Sequence, residues 1–467
     1  MPDASDPASS SASAASDATA GAPSGRERHP LVRFFLVEPN ELFPLVTAFA
    51  MVFFTFCSYF ILRPIRDAIQ SEQNLSTELP WVVTATLVSM LVCNAIFSLI
   101  ASRLPRRMIL PVAYQVFVAV LGLFFFALER TTGETAARVA QAFYVWISVF
   151  NLLAISTAWS VVADTFTVEQ SRRLFARISI GATAGAMSGS AITKYLVEHI
   201  GPNNLLLVSA ALLEVAVLLG VALGWIASRR STTAVDAGAT GAKADDRIGG
   251  SVLDGVRSLI GSRYLILIAL YIFLYTITST FLSIQQSRLL QVLFDPEKVE
   301  NARALRTQFS ANISFISNCI VLGTQLFLTS HITRWIGVGR TLFVTPIITV
   351  IGFAVLTFQE LRGIDSPRAL MFAMIARSSM HYAVDKPSRE ALYSPLARDE
   401  KYKAKNLIDT FIYRGGDTVA TWMMALASTG IAFLGASLGA ALAWTVMSGP
   451  LGRAYERRAA AKQGRQG

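Results

Sequence analysis

Cysteine is nearly absent: three occur in 467 residues, Cys57, Cys93 and Cys319. All three lie inside apolar runs at wide spacing, which excludes a disulfide framework and offers no metal-ligand pattern. They read as small buried hydrophobes. The four histidines, His29, His199, His331 and His381, are scattered, so neither a metal nor any other cofactor is expected. Walker, nucleophile-elbow and kinase motifs are missing too, which argues against an enzyme. Charge is sparse as well. Only 15% of residues are charged against 53% hydrophobic, and the mean hydropathy is +0.48. That balance defines a polytopic membrane protein whose first partner is the lipid bilayer. The net charge of +10 does not point to nucleic acid, because the basic residues are spread over short loops between apolar runs. Residues 1–30 have no apolar core of the signal-peptide kind, and their Ala, Ser, Asp, Gly and Pro predict a disordered tail.

Runs of about 20 mainly apolar residues predict about twelve transmembrane helices. In the first half they fall near 42–62, 81–101, 109–128, 139–162, 174–196 and 204–227. In the second they fall near 264–287, 309–330, 340–359, 368–392, 406–428 and 430–448. The chain thus divides into a six-helix half over 31–230, a Gly/Ala/Asp-rich linker over 231–262, a second six-helix half over 263–450 and a basic tail over 451–467. An N-terminus in the cytoplasm puts most of the 41 Lys and Arg on the cytoplasmic side. The positive-inside rule therefore predicts both termini inside, and the bacterial inner membrane is the favoured location. This all-α integral membrane arrangement resembles the major facilitator architecture, in which the substrate site lies between the halves near the bilayer midplane.

Ionisable residues inside apolar sequence are the next signal, because they are rare in lipid and usually functional. Between Met371 and Asp417, Arg377, His381 and Asp385 follow at helical spacing, with Ser388 and Arg389 near the same stripe. Lys386-Pro387 then interrupts the predicted helix. A basic hinge, Arg398 to Lys405, leads to a helix placing Asp409, Tyr413 and Asp417 on one face with Arg414 beside it. These charges either pair only with one another and lock helices together, or form a substrate or coupling-ion site. In the first span Tyr59, Arg63 and Asp67 share a face, Arg66 lies beside Asp67, and Pro64 is predicted to weaken the helix. Two guanidinium groups suit an anion with several charges, and headgroup anchoring is the alternative.

Other stretches are less specific. Asp164, Glu169, Arg172 and Arg173 sit at the junction after span four, where they either close a gate between spans or fix a loop. Arg103, Arg106 and Arg107 form a basic turn that reads as a topological anchor. Span four also holds Trp146, Asn151, Trp159 and Ser160. Gly181, Gly185 and Gly189 recur every four residues and predict a helix-packing face, not a phosphate loop. Tyr271, Tyr275, Thr278 and Gln285 in span seven, and Ser310, Ser314, Ser317, Asn318 and Gln325 in span eight, line a path or bond helix to helix.

Two charged motifs carry a closer likeness. Leu62-Arg63-Pro64-Ile65-Arg66-Asp67, together with Asp385-Lys386-Pro387-Ser388-Arg389-Glu390 and Lys401-Tyr402-Lys403-Ala404-Lys405 before Asp409, resembles the ATP/ADP translocase family of nucleotide transporters, in a divergent bacterial branch. The resemblance implies exchange of adenine nucleotides across the membrane, with Arg66 at the place of the family's first-span lysine and Arg389 at that of its tenth-span basic residue. On this reading Arg63, Arg66, Arg377, Arg389, Lys386 and Tyr59 bind an anionic solute such as ATP or ADP. Asp67, Asp385, Asp409, Asp417 and Arg414 supply counter-charge or coupling. The expected protein is a monomeric secondary transporter working by alternating access. Carriage of another organic anion, with or without a proton, is the alternative, and a membrane-embedded enzyme or signalling protein is a further one.

Overall fold

In the computed structural model the described residues are 38–236, 257, 259–327, 337–364, 367–396, 404–405, 407–427 and 430–463. The expected N-terminal tail, most of the linker and the hinge from Arg398 to Lys403 lie outside them. The chain divides into Met1–Phe43 and Pro44–Gly467. Of the first unit only residues 38–43 are described, and there the Glu38 amide donates to the Glu41 carboxylate (3.2 Å). Everything below concerns the second.

No strand occurs among the described residues, and the chain is a succession of helices. They are α1 (Pro39–Gln70), α2 (Leu79–Arg103), α3 (Arg106–Arg130), α4 (Gly133–Thr165) and α5 (Val168–Asp236), followed by α6 (Arg263–Leu293) and α7 (Ala302–Phe327). After them come the short α8 (Val338–Thr341), α9 (Val344–Arg362), α10 (Pro367–Met380), α11 (Lys386–Ala391), α12 (Tyr413–Leu426) and α13 (Gly430–Gln463). Among the described residues, eight helical stretches are long and apolar enough to cross a membrane. One of them, within α5, bends at Gly201, whose φ of 79° is open to glycine and whose neighbour Pro202 cannot continue the hydrogen-bond ladder. Counted as two limbs, and joined by α7, by α10 with α11, and by α12, they match the sequence-predicted spans one for one.

Local chemistry explains several ends. The Ser262 hydroxyl accepts the Leu265 amide and starts α6 (3.5 Å). Gly363 in the left-handed conformation closes α9, its amide bonding back to the last carbonyls. Pro64 stands inside α1, which runs on to Gln70 with Leu62, Ile65, Ala68 and Ile69 buried around it. One expectation is corrected: Lys386-Pro387 does not interrupt the helical run. A five-residue π-helix, His381–Asp385, precedes it and runs directly into α11, with Pro387 in the first turn of α11. A second π-helix, Ile408–Ile412, precedes α12.

The halves meet along two helix pairs. The first limb of α5 runs antiparallel to α7, with Gln308 bonded to the Lys194 carbonyl (3.3 Å), Asn318 to Ser190 (3.5 Å) and Thr183 to Gln325 (2.8 Å). α2 packs on α12, where the Trp81 and Trp422 rings meet edge to face and Trp422 donates to Thr84 (3.2 Å). Inside the first half the glycine stripe is a packing face, as its spacing predicts: Gly181, Gly185 and Gly189 of α5 lie against the carbonyls of Phe49, Phe53 and Cys57 of α1. The second half closes on Tyr264, Tyr271, Tyr275, Leu342, Tyr393 and Trp444.

Candidate functional site

Both charged stretches face a central space between the halves. Three adjoining compartments share Tyr382 of the first π-helix. The first, of about 210 Å3, is lined by Tyr59, Arg63 and Arg66 of α1, Asn151 of α4, and Arg414 and Asp417 of α12. The second, about 100 Å3, adds Asp67 and Arg377 to Arg63 and Arg66, with Ser310, Ser314, Ser317 and Asn318 of α7 on its far wall. The third, about 260 Å3, is lined by His381, Lys386, Arg389, Glu390, Asp409 and Arg414. All the sequence-predicted binding residues thus border this space. Asp385 stands behind it, fully buried.

The cations are held by different partners. Arg66 pairs with its neighbour Asp67 (2.7 Å) and lies over the Tyr144 ring. Arg414 pairs with Asp417 (3.2 Å), whose other oxygen accepts from Thr280 (2.6 Å). Asp385 accepts from the Tyr271 hydroxyl (2.6 Å) and bonds the His381 ring (2.9 Å), with the Arg389 guanidinium 3.9 Å away. Arg377 departs from the expected ion-paired stripe. Its guanidinium donates to the Ser279 hydroxyl (3.2 Å) and the Tyr275 carbonyl (3.1 Å). The wide π turn separates it from Asp385, and the Tyr275 ring intervenes, with the guanidinium carbons of Arg377 and Arg389 each 5.0 Å from its centre and the His381 ring stacked 4.4 Å from it. Lys405 closes the hinge on Glu390.

Around the junction after α4 the described contacts are local. Asp164 reaches Arg106 of α3 in the same half (3.6 Å), Glu169 lies exposed in the first turn of α5, and Arg173 is exposed beyond it. The Arg172 side chain lies outside the description. Among the described residues, Glu72 and Arg303 form an ion pair across the halves, two parallel bonds of 2.6 Å at the opposite end of the bundle. Around it Gln70 donates to Ser283 and Ser287 (3.1 Å each), Gln291 donates to the Gln73 carbonyl (3.1 Å), and Arg306 to that of Ser71 (3.4 Å).

Sequence reasoning passed over Tyr382, Gln70 and Tyr144. Helical spacing carried a signal for each, since Gln70 lies one turn beyond Arg66, Tyr382 one turn before Lys386, and Tyr144, Ser148 and Asn151 form one polar stripe into the first compartment.

A bundle of membrane-crossing helices in two halves, enclosing a polar cavity bordered by charged residues from both, is the build of a solute transporter. The Major Facilitator Superfamily profile matches residues 48–382, and the chain belongs to that superfamily. Among curated relatives it is similar to ADP,ATP carrier protein 1 of Chlamydia trachomatis serovar D, at 22% identity over 424 residues, covering 84% of this chain and 74% of the relative. Among solved structures it is similar to the nucleoside transporter NupG. One match is to the protein itself (TM-score 0.60, 13% identity, 88% of this chain and 99% of that one) and one to a point mutant (TM-score 0.60, 12% identity, 89% and 99%).

Proposed function

We propose that this transporter exchanges a phosphorylated, nucleotide-like anion, such as ATP for ADP, by alternating access. One observation carries the reading: Arg63, Arg66, Arg377, Lys386, Arg389 and Arg414, drawn from both halves, border a single set of adjoining compartments. Guanidinium forks match phosphate oxygens in pairs, and the flanking tyrosines 59, 144, 382 and 413 offer flat faces to a base or ribose. The name of the chlamydial relative agrees with this class of solute. Arg66 and Arg414 rest on Asp67 and Asp417. A polyanion that takes over the cations frees those carboxylates, and the change in pairing lowers the barrier to rocking the halves.

The orientation that places both termini in the cytoplasm puts the Glu72–Arg303 latch on the outer face. Labelled ATP should enter proteoliposomes preloaded with ADP and not empty ones, and unlabelled nucleotides should compete. Equal uptake into empty vesicles overturns the exchange reading. A second reading, proton-coupled carriage of another organic anion, draws on the Tyr271–Asp385–His381 chain beside the third compartment. It requires uptake driven by a pH gradient with no internal counter-solute.

The latch makes a separate prediction. A partly exposed bidentate pair contributes about 1 kcal/mol at most, close to a fivefold change in population. Replacing Glu72 by Gln in a protein with Cys57, Cys93 and Cys319 removed should therefore raise labelling of a Ser283→Cys probe by an external, impermeant thiol reagent by up to about fivefold. Unchanged or reduced labelling places the latch elsewhere in the cycle.

A further inference from the structure

Away from the central cavity, the second half carries a lateral groove of about 250 Å3 between α6, α9, the start of α10 and α13. Its walls include Val292, Leu356 and Leu434, and into it project Gln285, Arg288 and Glu360. Among the described residues Arg288 has no carboxylate within ion-pair distance. Its guanidinium instead donates to the Met424 sulfur (3.0 Å) and lies 4.7 Å over the Phe433 ring. These are weak partners for a group with five donors. The Gln285 amide nitrogen is buried and unpartnered. Glu360 sits in the last turn of α9, the less favourable end for an anion, and its side chain has no hydrogen bond among the described residues. Cation and anion converge on Gly430: a methyl group there would lie 2.7 Å from the Glu360 carboxylate and 3.8 Å from the Arg288 guanidinium.

The depth of the groove is equally specific. α6 and α9 end beside it and α10 and α13 begin there, so the charges lie where chains leave the apolar layer. Its rim and the surface around it are strongly apolar, with Val292 72% and Leu426 84% exposed. A solute that fits is anionic at one point, cationic a few ångströms away and apolar beyond.

We propose that this groove is a binding site for one zwitterionic phospholipid with a primary ammonium headgroup. The phosphate takes the free donors of Arg288 and Gln285, the ammonium donates to Glu360, and an acyl chain lies along Leu356 and Leu434. A purely anionic lipid satisfies Arg288 but brings its charge against Glu360, and a trimethylammonium headgroup has no hydrogen to donate to the carboxylate.

Native mass spectrometry of the full chain released from detergent tests this, with dioleoyl phosphatidylethanolamine, phosphatidylglycerol and phosphatidylcholine added at equal concentration. The phosphatidylethanolamine adduct should exceed each of the others by about tenfold. Glu360→Gln should erase that preference, and Arg288→Gln should weaken all three adducts, with thermal unfolding confirming that both variants fold. Equal retention of the three lipids, no retention by folded protein, or a preference that survives Glu360→Gln overturns the assignment.

Discussion

Gly185→Leu should leave no folded protein in the membrane, and Gly185→Ala or Gly189→Ala should each lower the unfolding temperature by several degrees. A Cβ at either position would overlap a backbone carbonyl of α1, that of Phe53 or Cys57, and a carbonyl cannot swing aside as a side chain can. The helices must separate instead, and with them the Ser58–Ser209 and Thr193–Ile61 bonds that hold the same region together. Overpacking of this kind costs about 1–3 kcal/mol per added methyl or more, against a total stability of about 5–15 kcal/mol for a typical domain. Alanine is therefore survivable singly, while Gly185→Ala with Gly189→Ala approaches collapse. Gly439→Ala in α13 is the control, because nothing lies within 4 Å of its added carbon. Fluorescence-detected size exclusion across a heating series reads both. Equal melting of the Gly185 and Gly439 variants would mean that the α1–α5 approach is wrong.

Arg66→Gln and Arg389→Gln should each abolish exchange while the protein stays folded. Removing one partner from a buried charged contact costs about 2–5 kcal/mol, a loss of about 30-fold to more than a thousandfold in transport rate at about 1.4 kcal/mol per decade. Part of the Arg66 effect would come from leaving the Asp67 carboxylate alone, since Asp67 is its ion-pair partner. Arg66→Gln combined with Asp67→Asn separates the two causes: stability should recover and transport should not. Arg66→Lys keeps the charge and loses the two-donor fork, so an intermediate loss of about tenfold is expected. Initial exchange rates in proteoliposomes, together with nucleotide-induced shifts in unfolding temperature, distinguish failed binding from failed movement. Full activity in both glutamine variants would remove these residues from the site.

The spans and the packing face were legible because each rests on a local rule. Length and hydropathy mark a crossing helix, and glycine every four residues marks a bare face. The two charged stretches were legible for the same reason, since an arginine in an apolar run stands out wherever its helix points. What α1 faces was not legible, because Arg63 and Arg377 lie more than three hundred residues apart and no spacing rule connects them. The partner of Arg377 was hidden in another way. Beside the Ser279 hydroxyl it is the backbone carbonyl of Tyr275, and every residue has a carbonyl. The π turns escaped because Pro387 signals only a missing donor, and the surrounding fold decides between a break and a widened turn. The latch at Glu72 lay in a loop with no intramembrane charge to draw notice.

The contact between α1 and α5 also has a mechanical meaning. Phe49, Phe53 and Cys57 meet Gly181, Gly185 and Gly189 turn for turn, so the two helices cannot slide past each other without driving backbone into backbone. Arg63 and Arg66 stand at the far end of one of these rods, and Ser190, in contact with Asn318 of the opposite half, stands on the other. The pair is one closely packed unit, which joins the helix that carries Arg63 and Arg66 to the seam with α7.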